Sequence, residues 1–271
     1  MNHTVSLVAG ITVKEGLRNR AMQGIFAIAL LLCAVYMVVV PMFAFDTGKV
    51  VIDIGYSFIN ISGLAIVIFL GIALLTKDIH QRTVSMILSR PISRTDYVIG
   101  KFLGLAVAVL LAILVIAVLT TATTSIGIRL FEEMQPPRNF SWVTLCISVG
   151  LQYLSLLILM AVAFFFACLT TSEYLSMLFT FGVYVIGNSL ETIIEVIKNT
   201  QDAMVGTGYL KMLKVLAWFL PNLSAFDLKV YLAYGLPLPK MQVLWTAMYG
   251  LFYIGILAVA TLWIFQRKEI T

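Results

Sequence analysis

Charge is what this chain has least of. Only 11% of its 271 residues are Asp, Glu, Lys or Arg, while 61% are hydrophobic and the mean hydropathy is +1.01. That is far too little polar surface to cover a water-soluble globule of this length, so the chain reads as an integral membrane protein. Histidine is scarce, with 2 residues, and the 3 cysteines, Cys33, Cys146 and Cys168, fall inside apolar blocks without CxxC spacing or a nearby His. No metal or redox site is expected, and the cysteines read as small apolar fillers. A phosphate loop is missing too, because neither Gly48-Lys49 nor Gly100-Lys101 has the upstream Gly and following Ser or Thr with which such loops cradle phosphates. HExxH and paired intramembrane Asp are also absent, which argues against intramembrane proteolysis. The first 20 residues lack the charged start, short apolar core and small-residue cleavage site of a removable signal peptide, so the N-terminus is expected to be retained.

What is present comes in long apolar blocks. About 20 helical residues cross about 30 Å of hydrocarbon, whereas a membrane barrel would show alternating blocks of about 10. The expected fold class is therefore all-α integral membrane, with six transmembrane helices over residues 22–45, 54–76, 101–128, 142–170, 175–195 and 242–265. Residues 1–21 are weakly amphipathic, with Val5, Val8, Ile11 and Leu17 set against Thr12, Lys14, Glu15, Arg18 and Asn19, the pattern of an interfacial helix. Residues 196–241 form the longest loop, read as short helices on or dipping into the outer leaflet, because the apolar run 209–220 is too short to span and ends at Pro221.

Between the second and third spans lies a polar island, residues 76–101, holding five of the 18 Lys and Arg residues: Lys77, Arg82, Arg90, Arg94 and Lys101. The turn over residues 46–53 carries one, Lys49. That contrast places the island and both termini on the cytoplasmic side, and the basic residues beside the spans meet lipid headgroups, with no nucleic-acid partner implied. Within the island, Asp78 is placed to cap a short helix whose apolar positions Ile79, Met86 and Ile87 fall near one face, with Arg82 and Thr83 between them. Pro91 ends that helix, since Arg90 is pushed away from helical geometry and the ring removes a backbone donor. Ser93-Arg94-Thr95-Asp96 has the spacing of a capping box, so the third span is expected to start near Arg94 and run unbroken into the bilayer.

The stretch LLTKDIHQRTVSMILSRPISRTDYVIGKFLGL resembles the permeases of type-2 ATP-binding-cassette transporters, especially the group typified by copper-enzyme maturation and export-like permeases. The matching positions are Asp78, Arg82, Thr83, Leu88, Ser89, Arg90, Pro91, Gly100 and Lys101. KEGLRNR and LPNLSAFDLK are similar to the family's N-terminal segment and to the stretch ahead of its last span. The resemblance implies one permease domain over residues 1–271, with a coupling helix in the island that docks on a cytosolic ATPase through Asp78, Ile79, Arg82, Thr83, Met86, Ile87, Arg90 and Pro91. It further implies two ATPase copies carrying ATP and Mg, no cofactor or catalytic residue in this chain, a second permease copy, export rather than import, and a bacterial or archaeal plasma membrane.

No ionisable residue is expected deep in the spans, which argues against a secondary transporter or channel; the other rival is a membrane scaffold for a metalloenzyme maturation complex. The polar residues within the spans are Asn60, Ser62, Thr120, Thr121, Thr123, Thr124, Ser125, Gln152, Ser155, Thr180 and Asn188. Most read as hydrogen-bonding glue between helices, while Asn60, Ser62, Gln152, Thr180 and Asn188 are the candidates to line a pathway. Gly100-x-x-x-Gly104 permits close helix approach. Phe164, Phe165 and Phe166 read as packing mass, and Glu173 as a cap for the fifth span.

Overall fold

The computed structural model describes residues 2–39, 47–74, 93–130, 141–170, 172–199 and 219–267. Among the described residues the chain is all-helical, 91% helix, with no strand. In chain order the helices are α1 (Asn2–Arg18), α2 (Arg20–Val39), α3 (Thr47–Ala65, continuing through a π-helical segment, Ile66–Gly71), α4 (Arg94–Leu130), α5 (Trp142–Leu169), α6 (Glu173–Asn199), the short α7 (Lys229–Ala233) and α8 (Lys240–Arg267).

Among the described residues four stretches are long and apolar enough to cross a membrane: Ile52–Leu74, Thr95–Thr123, Trp142–Leu169 and Lys240–Arg267. Counting the bent pair α1–α2 as one makes up to five. α6 covers the expected fifth span as a 27-residue helix but is not among the four, which are drawn from the described residues alone. α5 is the most enclosed of the four and α8 the least. The core forms where α5 and the π-helical segment meet α4: Ile66, Val67, Leu70, Leu105, Val109, Ile113, Ile158, Leu159 and Met160 are all buried there. Burying such side chains contributes about 1.5–3 kcal/mol each relative to exposure to water, less where the alternative is lipid.

α4 begins as its sequence requires. The Ser93 hydroxyl accepts the Asp96 amide at 3.1 Å, and the Ser93 carbonyl accepts the Tyr97 amide at 3.1 Å, satisfying amides that have no partner inside the helix. Its 37 residues then run without interruption, which at 1.5 Å per residue is about 55 Å, roughly 25 Å more than the hydrocarbon is thick. A long section of α4 therefore stands outside the bilayer.

α1 and α2 are separated at Asn19 by a 52° bend. The Asn19 side-chain oxygen accepts the Ala21 amide at 2.9 Å and its carbonyl accepts the Gln23 amide at 3.2 Å, so Asn19 caps α2. α1 meets the rest of the protein through both polar and apolar positions. Thr12 is 2% exposed whereas Ile11 is 59% exposed, because the surface against which α1 packs is a row of small residues on α4 that accepts backbone and short side chains.

Candidate functional site

The two ends of the bundle are built differently. At one end, α1 runs parallel to the first turns of α4. A Cβ added at Gly100 would lie 2.9 Å from the Val8 Cβ and 3.1 Å from the Val5 carbonyl oxygen. One added at Gly104 would lie 2.6 Å from the Ala9 carbonyl oxygen and 2.7 Å from the Thr12 Cβ. At Gly16 an added Cβ would sit 3.4 Å from the Ala108 Cβ. Contacts thus advance along both helices together, and the close approach expected of Gly100-x-x-x-Gly104 is made by α1. Beside it the buried Lys101 ammonium lies 3.9 Å from the Glu15 carboxylate, so removing Glu15 takes a counter-charge from an enclosed cation. Tyr97 of α4 stacks on Phe265 of α8 at this end, both buried, and Arg267 lies over the Trp263 ring at 4.0 Å. The expected docking residues Asp78, Ile79, Arg82, Thr83, Met86, Ile87, Arg90 and Pro91 lie outside the described residues, just before this cap.

The interior distributes its polar groups in a way composition does not reveal. The hydroxyls of Thr120, Thr121, Thr123, Ser125, Ser148 and Thr180 each donate to a carbonyl one turn back on their own helix. The Asn188 amide does the same toward the Tyr184 carbonyl. Between helices, Thr123 bonds Cys33 of α2 and Thr170 at the end of α5 bonds Ser176 of α6, and three further bonds come from aromatic hydroxyls. Tyr56 donates to the Gln152 side-chain oxygen at 3.3 Å, Tyr153 to the Ala106 carbonyl at 3.0 Å, and Tyr253 to the Phe219 carbonyl at 2.9 Å. Of the expected pathway residues, Ser62, Gln152 and Thr180 are buried, and Asn60 and Asn188 are half-buried. Only Gln152 is tied to another span by these bonds, through Tyr56. The side-chain oxygen of Asn60 is enclosed yet accepts no hydrogen bond, a costly state for a polar atom away from water. Phe164 is buried with its edge against Phe102, 5.4 Å between ring centres, and Phe166 meets Phe179 of α6 at 5.3 Å, which is packing. Glu173 opens α6, where its charge favours the helix start.

At the other end, the described part of the long loop folds inward. Pro221, Leu223, Phe226, Leu228 and Leu232 are buried. The Leu223 amide donates to the Gly187 carbonyl of α6 at 3.2 Å, the Asn222 amide to the Tyr249 hydroxyl of α8 at 3.1 Å, and Leu232 packs with Ile52 and Tyr56 of α3. Lys229 lies 3.4 Å from the Asp53 carboxylate, and its amide donates to Asp227 at 2.9 Å. Within residues 219–239 the loop holds a single turn at Ser224–Phe226 and the short α7; residues 200–218, which include most of the apolar run, lie outside the described residues. Partial enclosure pushes the Asp227 carboxyl above its ordinary range, and repulsion from Asp53 adds to this against the opposing pull of Lys229.

A carboxyl whose folded-state pKa is raised supports the fold at low pH and loses that support as pH rises through the raised value. Asp227→Asn keeps the oxygen that accepts the Lys229 amide but removes the charge. Thermal unfolding followed from acid to neutral pH should show this variant at least as stable as the wild type at neutral pH, with the two converging on acidification. A clear loss at neutral pH would contradict the assignment.

Glu15, Gly16, Tyr56, Phe226 and the Asp53–Lys229 pair escape sequence reasoning. The two ion pairs join residues far apart in the chain, so their only signal is a charge beside a span. For Tyr56 and Phe226 the sequence carries no signal beyond aromatic character.

A family model described as an ABC-2 family transporter protein matches residues 7–270 of the chain. No curated protein matches it.

Proposed function

This chain belongs to the ABC-2 transporter family, and from that premise we propose that it is the subunit through which a separate cytosolic ATPase drives export. The membership itself makes it a multi-pass permease subunit of an ATP-binding-cassette transporter. One observation carries the coupling reading: α4 starts at a hydroxyl cap two residues after Pro91 and continues as one 37-residue helix. A force applied at residues 76–92 therefore meets a rigid rod and not a hinge.

On this reading the Lys101 end is cytoplasmic. Lys14, Arg18, Arg20, Lys101 and Arg267 all belong to it, with Trp263 as an interfacial anchor, while Trp142 and Trp245 stand exposed at the opposite end. α2, α3, α4, α5, α6 and α8 are the six spans of one permease domain, and both termini are cytoplasmic. The face bearing Asp78, Ile79, Arg82, Thr83, Met86, Ile87, Arg90 and Pro91 docks on the ATPase, which holds ATP and Mg. Two copies of each subunit complete the machine in a bacterial or archaeal plasma membrane, and the copper-maturation group is the nearest subgroup.

Asn60, Ser62, Gln152, Thr180 and Asn188 line the pathway. The enclosed, unpaired Asn60 oxygen gives that assignment its best support, because a passing hydrogen-bond donor would satisfy it. ATP-state-dependent contact with the ATPase has to bias one arrangement of the spans over another for coupling to occur.

The isolated chain should hydrolyse no ATP, whereas the chain purified from membranes with its partner should hydrolyse Mg-ATP in a vanadate-sensitive way. Membranes that yield the intact chain with no ATPase subunit would contradict the coupling reading and favour a secondary transporter or a scaffold.

A further inference from the structure

α4 and α1 share a feature that a passive membrane anchor does not need. Three successive small positions on α4, Gly100, Gly104 and Ala108, receive α1 at Val5 and Val8, at Ala9 and Thr12, and at Gly16 respectively.

 The Ala9 carbonyl is the closest of these neighbours, at 2.6 Å from a Cβ placed at Gly104, so the backbones touch there, and elsewhere along the contact only short side chains such as those of Val8, Thr12 and Ala108 lie between the helices. The Glu15–Lys101 pair closes the same contact with an enclosed charge. α1 then turns 52° at the Asn19 cap and becomes α2.

We infer that α1 and the first turns of α4 move as one rigid stalk, and that Glu15 and Lys101 are positioning residues that carry movement of the island into α2. This rests on the coupling reading above. It adds that the island has two outputs: one directly along α4, and a second through α1 and the Asn19 bend. Close packing through backbone and short side chains favours a unit that shifts whole, because packed interfaces adopt discrete arrangements and do not deform continuously. The pair is placed to keep α1 in register, since sliding by one turn would separate an enclosed ammonium from its carboxylate.

The test uses the full transporter, with its ATPase, in lipid bilayers and in a background where Cys33, Cys146 and Cys168 are replaced by alanine. Spin labels at Ile28→Cys on α2 and Val259→Cys on α8, both exposed positions, report the distance between these helices with and without vanadate-trapped Mg-ATP. A disulfide between Gly16→Cys and Ala108→Cys, formed before labelling, ties α1 to α4 where the Cβ separation is near 3.4 Å, close to what a disulfide needs. The nucleotide-dependent shift at α2 should survive this tie. It should be lost in Glu15→Lys and return when Lys101→Glu is added. If the tie abolishes the shift, α1 slides on α4 and the rigid stalk is wrong. If Glu15→Lys leaves the shift intact, the pair does not position α1. A wild-type complex that binds its ATPase and hydrolyses ATP yet shows no shift at α2 overturns the second output alone, whereas the absence of any ATPase overturns the coupling reading beneath it.

Discussion

Gly104→Leu is expected to be strongly damaging. The first atom of any side chain at this position would stand 2.6 Å from the Ala9 carbonyl oxygen and 2.7 Å from the Thr12 Cβ. The nearer of the two is backbone, which has no rotamer to move into. Overpacking against mobile side chains costs about 1–3 kcal/mol, and a backbone clash that forces a whole helix away belongs at or above the top of that range. The variant should give far less monodisperse protein on extraction, and a melting temperature lower by several degrees. Gly24→Leu is the matched control, because nothing lies within 4 Å of a Cβ there, and it should behave as the wild type does. Equal stability of Gly104→Leu and Gly24→Leu would mean that α1 is not seated on α4.

The second large effect concerns the island. Arg82→Glu combined with Ile87→Asp reverses one charge and buries another in the proposed docking face, without touching any residue assigned to the pathway. Loss of a central anchor in a protein interface costs about 2 kcal/mol or more. Two such losses, if they add, come to about 4 kcal/mol, roughly a thousandfold in affinity. The doubly substituted chain should therefore reach the membrane with an unchanged melting temperature but without its ATPase, and ATP hydrolysis in the purified sample should fall to background. Full retention of the ATPase would remove this face from the mechanism.

Much of the helix plan was legible because it follows from one strong signal, the length of the apolar runs. Trp142–Leu169 and Lys240–Arg267 lie within two residues of the expected spans, and the Ser93 cap and the close approach at Gly104 came from local chemistry that depends on few neighbours. What was not legible depends on partners far away in sequence. Weak amphipathicity set Ile11 among the apolar positions of an interfacial helix and Thr12 among its polar ones; that Thr12 is the residue enclosed by the protein follows from a small-residue groove on α4, which the sequence of α1 does not carry. Thr120, Thr121, Thr123 and Ser125, expected as glue between helices, donate to carbonyls one turn back on α4, since a hydroxyl one turn from a free carbonyl lone pair finds it first, and Thr123 also bonds Cys33 of α2. A further tie between spans went to Tyr56 and Gln152, whose longer side chains reach across. Of the candidate site, Asn60 alone gained a physical reason for its place, an enclosed oxygen without a donor.

The central claim is that residues 76–92 touch a cytosolic ATPase, and contact can be measured directly. A photo-crosslinking amino acid placed at Ile87, and separately at the exposed Tyr234 of the opposite end, would be activated in intact membranes and the adducts identified by mass spectrometry. The account requires an adduct between position 87 and an ATPase subunit, with none from position 234. An ATPase adduct from 234 but not from 87, or no ATPase adduct at all from 87 in membranes where the chain is intact, would contradict it.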